Sequence, residues 1–156
     1  MPSRLQVGDP APDFSLATGE TSSCSLQSLG GSKAVLYFYP KDDTSGCTQE
    51  GIEFNRLRQE FAAADTALIG VSPDPLKSHD KFKAKHGLEL TLASDEGTSM
   101  LEAYGVWGEK SMYGRKYMGV LRTTVLIDAD GRIARLWENV KVPGHAAEVL
   151  EAAKAL

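Results

Sequence analysis

This chain contains few cysteines, and their small number limits the classes of protein to which it can belong. The 156 residues contain only Cys24 and Cys47. Small secreted domains held together by disulfides carry several cysteines, so a disulfide scaffold is not expected. The N-terminal segment MPSRLQVGDPAPDF has no apolar stretch of the kind found in secretory signals. These features favour the reducing environment of the cytoplasm and a thiol that takes part in chemistry.

Long apolar runs and an excess of positive charge are also missing. The longest runs, such as AVLYFY and TTVLID, are far shorter than the about 20 residues needed to cross a bilayer. The formal net charge is −4, so neither nucleic acid nor an anionic membrane is expected as a partner. No GxxxxGK[ST] or GxGxxG pattern indicates a nucleotide cofactor. No Cys/His cluster has metal-ligand spacing, so neither a metal nor a cofactor is expected.

What the chain does contain is an alternation of strand and helix patterns. Continuous apolar runs predict buried strands over 34–39 and 66–71. Apolar spacing predicts a helix over 48–63, and the turn DADGR predicts a hairpin between Thr123–Ile127 and Ile133–Leu136. With 42% hydrophobic residues, the length suits a single domain over 1–156. The pattern indicates an α/β domain with a central mixed β-sheet flanked by helices.

Shorter elements complete the prediction. Short strands are expected near Phe14–Leu16 and within GETSSCSLQSLGG. The segment SDEGTSMLEAYGV is expected to form a helix capped at Ser94 or Asp95 and ended by Gly105. Two further helices are expected in SPDPLKSHDKFKAKHG and GHAAEVLEAAKAL.

A polar loop and a cysteine follow the first buried strand, in YFYPKDDTSGCTQEG. Pro40 ends the strand, and Cys47 lies where the next helix begins. Free backbone N–H groups and the positive end of the helix dipole favour the thiolate, which is the nucleophilic form. Gly46 leaves room for close approach of the backbone. The hydroxyl of Thr44, three residues before the cysteine, is within reach of the sulfur or of a bound oxygen ligand.

The local charges oppose a thiolate. Asp42, Asp43 and Glu50 would destabilise it unless they point outward, so a cation from elsewhere in the chain is required. A lone cysteine is often a small buried apolar residue, and spacing alone leaves both interpretations open for Cys47. Cys24, in SSCSL, is interpreted as a structural thiol.

The residues around Cys47 carry a family resemblance. Pro40, Thr44 and Cys47 form P-x-x-x-T-x-x-C, which resembles the peroxidatic motif of peroxiredoxins, and YFYPKDDTSGCTQE resembles the bacterioferritin-comigratory-protein or PrxQ branch. The segments GDPAPDFSL, GVSPD, MYG and LRTTVLID extend the match in order along nearly the whole chain. The resemblance implies a thioredoxin-like fold with an N-terminal β-hairpin extension. It also implies reduction of hydrogen peroxide and organic hydroperoxides to water or alcohol, in antioxidant defence and redox homeostasis.

The resemblance implies a role for each residue of the motif. Cys47 is the peroxidatic cysteine, which becomes a sulfenic acid. Thr44 hydrogen-bonds the peroxide and the sulfur, and Pro40 shields the site. Arg122, in LRTTVLID, is the missing cation that favours the thiolate and orients the substrate.

Further residues are expected around this centre. By resemblance, Glu50 holds the arginine, and Glu50 and Gly46 contribute to substrate binding. Trp107, Met112 and Tyr113 are candidates either for an apolar wall near the site or for core packing.

The usual resolving cysteines of the branch are absent. Many members carry one five residues after the peroxidatic cysteine, where this chain has Ile52, and others carry one on the next helix, where it has Lys83. The resemblance therefore implies a one-cysteine mechanism recycled by thioredoxin, glutaredoxin or a small thiol. An atypical two-cysteine mechanism through Cys24 is the alternative. A monomer is expected, with a dimer as the other option.

Two other functions compete with the peroxidase. A disulfide oxidoreductase would need C-x-x-C, but the sequence Cys47-Thr48-Gln49-Glu50 lacks the second cysteine. A non-catalytic redox sensor or binding module stays open. His79 and His86 lie on a charged predicted helix and are expected to be solvated.

Overall fold

The chain forms a seven-stranded sheet with helices on both sides and a separate two-stranded ribbon. The computed structural model describes residues 5–156, apart from the side chain of Met112. The sheet strands are Ser15–Ala17 (β1), Ser23–Ser25 (β2), Lys33–Phe38 (β3), Thr66–Ser72 (β4), Thr91–Ser94 (β5), Thr123–Ile127 (β8) and Ile133–Trp137 (β9). The ribbon consists of Trp107–Met112 (β6) and Arg115–Val120 (β7). The helices are Ser45–Ala63 (α1), Leu76–His86 (α2), Ser99–Ala103 (α3) and His145–Ala155 (α4), with a short 3₁₀ turn at Gln27–Leu29.

The sheet is mixed, as the sequence predicts. Its strand order is β2-β1-β5-β4-β3-β8-β9. Strand β4 pairs in parallel with β3 and β5, whereas β8 pairs antiparallel with β3 and β9. The antiparallel pair β1–β2 is the expected N-terminal hairpin. The central strands are covered on both faces, which explains why β3 reads as a continuous apolar run.

Two apolar clusters pack on opposite faces of the sheet, and each contains one cysteine. Successive side chains of a strand point to opposite faces, so alternate residues of β3 enter different clusters. The cluster beneath α1 and α4 includes Cys47, Phe54 and Phe61. The cluster on the other face includes Cys24 and Leu101. The two thiols are therefore separated by the sheet.

Some element boundaries differ from the sequence prediction. Helix α1 begins at Ser45, so Cys47 lies inside its first turn. Helix α3 is shorter than predicted and begins after Thr98. Asp95, a predicted cap, lies outside the helix, and its side chain accepts a hydrogen bond from the backbone N–H of Leu101. Gly87 ends α2 as predicted, in a left-handed conformation with φ of 65°.

The ribbon β6–β7 was not predicted. Most side chains of β7 are exposed, so the segment lacks the apolar pattern that marks a strand packed on a core. Within residues 5–156, no helix is long and apolar enough to span a bilayer.

Candidate active site

Cys47 is the third residue of α1, and its side chain is almost fully buried, with 2% of its surface exposed. Thr44 is the N-terminal cap residue, and its carbonyl accepts the first helical hydrogen bond from Thr48 N, at 2.8 Å. The Thr44 hydroxyl donates to the carbonyl of Lys41, at 2.9 Å. The sulfur therefore lies at the amino end of the helix, where unpaired N–H groups and the dipole favour an anion.

Arg122 is the cation brought next to this sulfur. It directly precedes β8, whose first residue, Thr123, pairs with the last residue of β3, so the arginine lies beside the loop that follows β3. Its Nη2 donates to Cys47 Sγ at 3.3 Å, and its Nη1 donates to Glu50 Oε1 at 2.5 Å. Burial opposes the guanidinium charge, but Glu50 and Cys47 together raise the pKa of Arg122. The planar guanidinium thus joins the sulfur and the carboxylate through two of its donors.

Glu50 is the buried partner of this arginine. Its side chain is 1% exposed, and its Oε2 is buried without a hydrogen-bond partner. Burial raises the pKa of Glu50 to about 7, although Arg122 acts in the opposite direction. The carboxyl is therefore costly to ionise in the folded state and changes charge near neutral pH.

This burial predicts how stability depends on pH. Between about pH 4.5 and 7, Glu50 is protonated in the folded chain and ionised in the unfolded chain, so rising pH destabilises the fold. The Glu50→Gln variant removes that penalty. The difference in unfolding free energy, variant minus wild type, should rise by about 3 kcal/mol between pH 4.5 and 8. Urea denaturation at several pH values measures it, with Glu60→Gln on the exposed side of α1 as the matched control; a flat difference for Glu50→Gln would contradict this account.

The acidic residues of the loop are each paired away from the sulfur. Asp43 accepts hydrogen bonds from Lys85 Nζ at 2.7 Å and from His86 Nε2 at 2.8 Å, which lowers its pKa. The buried Asp42 carboxylate lies 2.7 Å from Nδ1 of His79. The Asp42 and Asp43 carboxylates, which precede Cys47 in the sequence, thus each have hydrogen-bond partners other than the sulfur.

The expectation that His79 is solvated was wrong, since its side chain is 1% exposed. His79 and Phe82 are three residues apart on α2 and share its buried face. That spacing was the available signal, but it could not identify Asp42 as the partner. His86 is partly buried rather than freely solvated.

An open cavity of about 430 Å³ adjoins the arginine. Pro40 and Arg122 form one side of it. The rest of its lining mixes apolar residues, among them Val106, Leu121 and Val140, with polar ones such as Thr123 and Asn139. A Cβ at Gly46 would lie 3.2 Å from Arg122 Nη2, so the absence of a side chain there lets the guanidinium approach the helix closely.

Lys110 is a second cation that the sequence did not reveal. It lines the cavity, and its Nζ donates to the carbonyl of Val120 at 2.9 Å. Burial and the nearby Arg122 lower its pKa. Of the three residues considered for an apolar wall, Trp107 packs against the core and Tyr113 is 98% exposed, while the side chain of Met112 lies outside the described part.

No second thiol lies beside Cys47 in residues 5–156. Ile52 is 44% exposed on α1, and Lys83 is half-buried on α2. Cys24 is on β2, and three strands separate β2 from β3. Cys47 packs in a different apolar cluster, on the opposite face of the sheet, whereas a disulfide requires Cα atoms within about 7 Å. Burial also raises the pKa of Cys24.

Comparison with known proteins agrees with this geometry. Residues 7–136 match the model of the AhpC/TSA family. The chain is 46% identical over 146 residues to a putative peroxiredoxin Bcp of Coxiella burnetii, covering 94% of this chain and 97% of that protein.

Solved structures of the same type are also similar. The bacterioferritin comigratory protein of Xanthomonas campestris superposes with a TM-score of 0.90 at 40% identity, over 98% of this chain and 96% of the other. PrxQ of Xylella fastidiosa gives a TM-score of 0.92 at 40% identity, over 98% of both chains. With this sequence match, the thioredoxin-like architecture and a cysteine paired with an arginine, the chain belongs to the AhpC/TSA family and, within it, to the Bcp/PrxQ peroxiredoxins, which are thiol-dependent peroxidases.

Proposed function

We propose that Cys47 is the residue that reduces the hydroperoxide in this chain. The observation that carries the proposal is the 3.3 Å contact between Arg122 Nη2 and Cys47 Sγ at the first turn of α1. The thiolate attacks the terminal peroxide oxygen, the S–O bond forms and the O–O bond breaks. Cys47 becomes a sulfenic acid, and the leaving alkoxide or hydroxide takes a proton from solvent to give alcohol or water.

Arg122 and the amino end of α1 stabilise the negative charge that develops in this step. Negative charge moves from sulfur to the leaving oxygen, and donors that are already in place stabilise it without reorganisation. Glu50 holds the arginine, and Gly46 gives it room. Pro40 shields the sulfur at the cavity edge. Thr44 is assigned to hydrogen-bond the peroxide, with a small rotation of its hydroxyl away from Lys41.

The cavity beside Arg122 suits organic hydroperoxides in addition to hydrogen peroxide. The Xanthomonas relative is described as having alkyl peroxide reduction activity. In this chain an alkyl group would lie against the apolar lining, with its peroxide near the arginine.

The cavity predicts a change of selectivity. Leu121 lines it, and the Leu121→Ser variant removes apolar contact with an alkyl group but not with hydrogen peroxide. We expect kcat/KM for cumene hydroperoxide to fall about tenfold, with kcat/KM for hydrogen peroxide changed less than about twofold. Parallel loss with both substrates would show that the cavity does not select the alkyl group.

We further propose that an external thiol, such as thioredoxin, glutaredoxin or a small thiol, reduces the sulfenic acid. The residues at the two usual resolving positions, Ile52 and Lys83, support this one-cysteine cycle. The position of Cys24 on the other face of the sheet supports it too. The chain would then act in antioxidant defence in the cytoplasm, as a monomer or a dimer.

Intact mass after one equivalent of peroxide tests this recycling mode. A gain of one oxygen that disappears on adding a thiol is the expected result. A loss of two hydrogens within the monomer would mean a Cys24–Cys47 disulfide, and a doubled mass would mean an intermolecular disulfide. Oxidation that no thiol donor reverses would favour a redox sensor over an enzyme.

A further inference from the structure

A buried hydrogen-bond network joins the loop that leads into α1 to its neighbours. Asp42, in the middle of this loop, is 7% exposed. Its Oδ1 accepts a hydrogen bond from Tyr39 OH at 2.6 Å, and its Oδ2 accepts one from Ser78 Oγ at 2.8 Å. The same Oδ2 lies 2.7 Å from His79 Nδ1. The proposed peroxide chemistry uses none of these contacts directly.

The hydrogen-bond partners determine where the protons are. His79 Nε2 lies 3.0 Å from the carbonyl of Ala93, which can only accept, so Nε2 carries a proton. Nδ1 faces a carboxylate that already accepts from two hydroxyls. Burial opposes ionisation of Asp42, but hydrogen bonds from His79 and Tyr39 hold its pKa below the usual value. Both ring nitrogens of His79 thus face acceptor atoms, and its contact with Asp42 is buried away from solvent.

This pair connects the loop to three other elements. Tyr39 directly follows β3, Ser78 and His79 belong to α2, and Ala93 belongs to β5. The backbone N–H of Asp42 donates to Asp74 Oδ2 at 2.8 Å, which adds the loop after β4.

Asp74 is the third titratable residue of this cluster. The ligand atoms of Asp42, Asp74 and His79 lie within 4.8 Å of one another. Asp74 Oδ2 also accepts a hydrogen bond from Ser72 Oγ. Each of the three side chains is thus already engaged by protein partners, and the network is complete without a metal ion.

We propose that His79 is a positioning residue for the peroxide step. Through its buried hydrogen bond to Asp42, it holds residues 40–44 in place, and this loop ends at Thr44, the cap of the helix that carries Cys47. His79 does not touch the sulfur. The inference rests on the role proposed for Cys47, since it explains how that residue is held in its reactive place.

The His79→Leu variant tests this role through two reaction rates that should change in opposite directions. Without its partner, buried Asp42 is driven toward solvent and takes the loop with it. The rate constant for oxidation of Cys47 by hydrogen peroxide should fall about tenfold or more, because a small misplacement of reacting groups is costly. Alkylation of resting Cys47 by iodoacetamide should become faster by a similar factor, because the sulfur loses its cover.

Cys24 in the same molecule is the internal control for unfolding. If His79 acts locally, Cys24 alkylation stays at the wild-type rate. Both rates should also stay at their wild-type values in the matched variant Asp80→Leu, at an exposed position of the same helix. Parallel acceleration at Cys24 and Cys47, or a peroxide rate within about twofold of wild type, would overturn the proposal.

The double variant Asp42→Asn/His79→Leu tests whether the two residues act through each other or destabilise the fold separately. It removes both sides of the His79–Asp42 contact, so it should be less impaired than the single variants predict together. Additive losses would also count against the proposal. The alkylation measurement needs no peroxide. It therefore still tests His79 if the role proposed for Cys47 is wrong.

Discussion

Replacing Cys47 with serine should abolish thiol-dependent peroxide consumption. A serine hydroxyl is not ionised near neutral pH, so the site would hold a poor nucleophile in the same position. The measurement is consumption of hydrogen peroxide in the presence of dithiothreitol. The Cys24→Ser variant is the matched control, because Cys24 lies on the opposite face of the sheet, and it should retain activity within about twofold of wild type. Retained turnover in Cys47→Ser would remove the basis of the proposed function.

Replacing Arg122 with methionine should slow oxidation of Cys47 by about 10²- to 10³-fold. The variant keeps much of the side-chain length but removes the charge and the donors that contact Cys47 Sγ and Glu50 Oε1. Stopped-flow measurement of the second-order rate constant with hydrogen peroxide checks this. Arg122→Lys should lose less, because an ammonium keeps the charge but lacks the planar fork that contacts both partners.

The arginine variant needs a control for the carboxyl that it leaves behind. Removing the cation leaves the buried Glu50 carboxyl without its arginine partner, which alone could disturb the helix. The double variant Arg122→Met/Glu50→Gln replaces that carboxyl with an uncharged amide. If the double variant is as slow as Arg122→Met, the arginine acts on the reacting sulfur. Recovery to within about threefold of wild type would mean that the single variant was slow only because of the unpartnered carboxyl.

Much of the fold could be predicted from local patterns. The apolar runs of β3 and β4 and the turn between β8 and β9 reflect burial and turn chemistry that nearby residues determine. The start of α1 and the limits of α3 were less predictable, because they depend on which side chain satisfies each backbone donor. The ribbon β6–β7 was missed because most side chains of β7 are exposed, so no core imposes a period on that strand.

The active site shows a similar division. Helix-end electrostatics alone could favour a thiolate at Cys47, but it could not supply the cation. Arg122 is 75 residues away in sequence, and its approach depends on the pairing of β8 with β3. Only the family resemblance pointed to it. The contact between Asp42 and His79 was missed because the spacing of His79 and Phe82 can indicate burial on α2 but cannot identify which loop residue faces the histidine.

Labelling of the oxidised protein with dimedone tests the central claim most directly. Dimedone reacts with sulfenic acids, so one equivalent of hydrogen peroxide followed by dimedone should place one adduct on the peptide that contains Cys47. The peptide that contains Cys24 should stay unlabelled, and prior reduction with a thiol should remove the signal. An adduct on Cys24, or consumption of peroxide with Cys47 unmodified, would contradict the account.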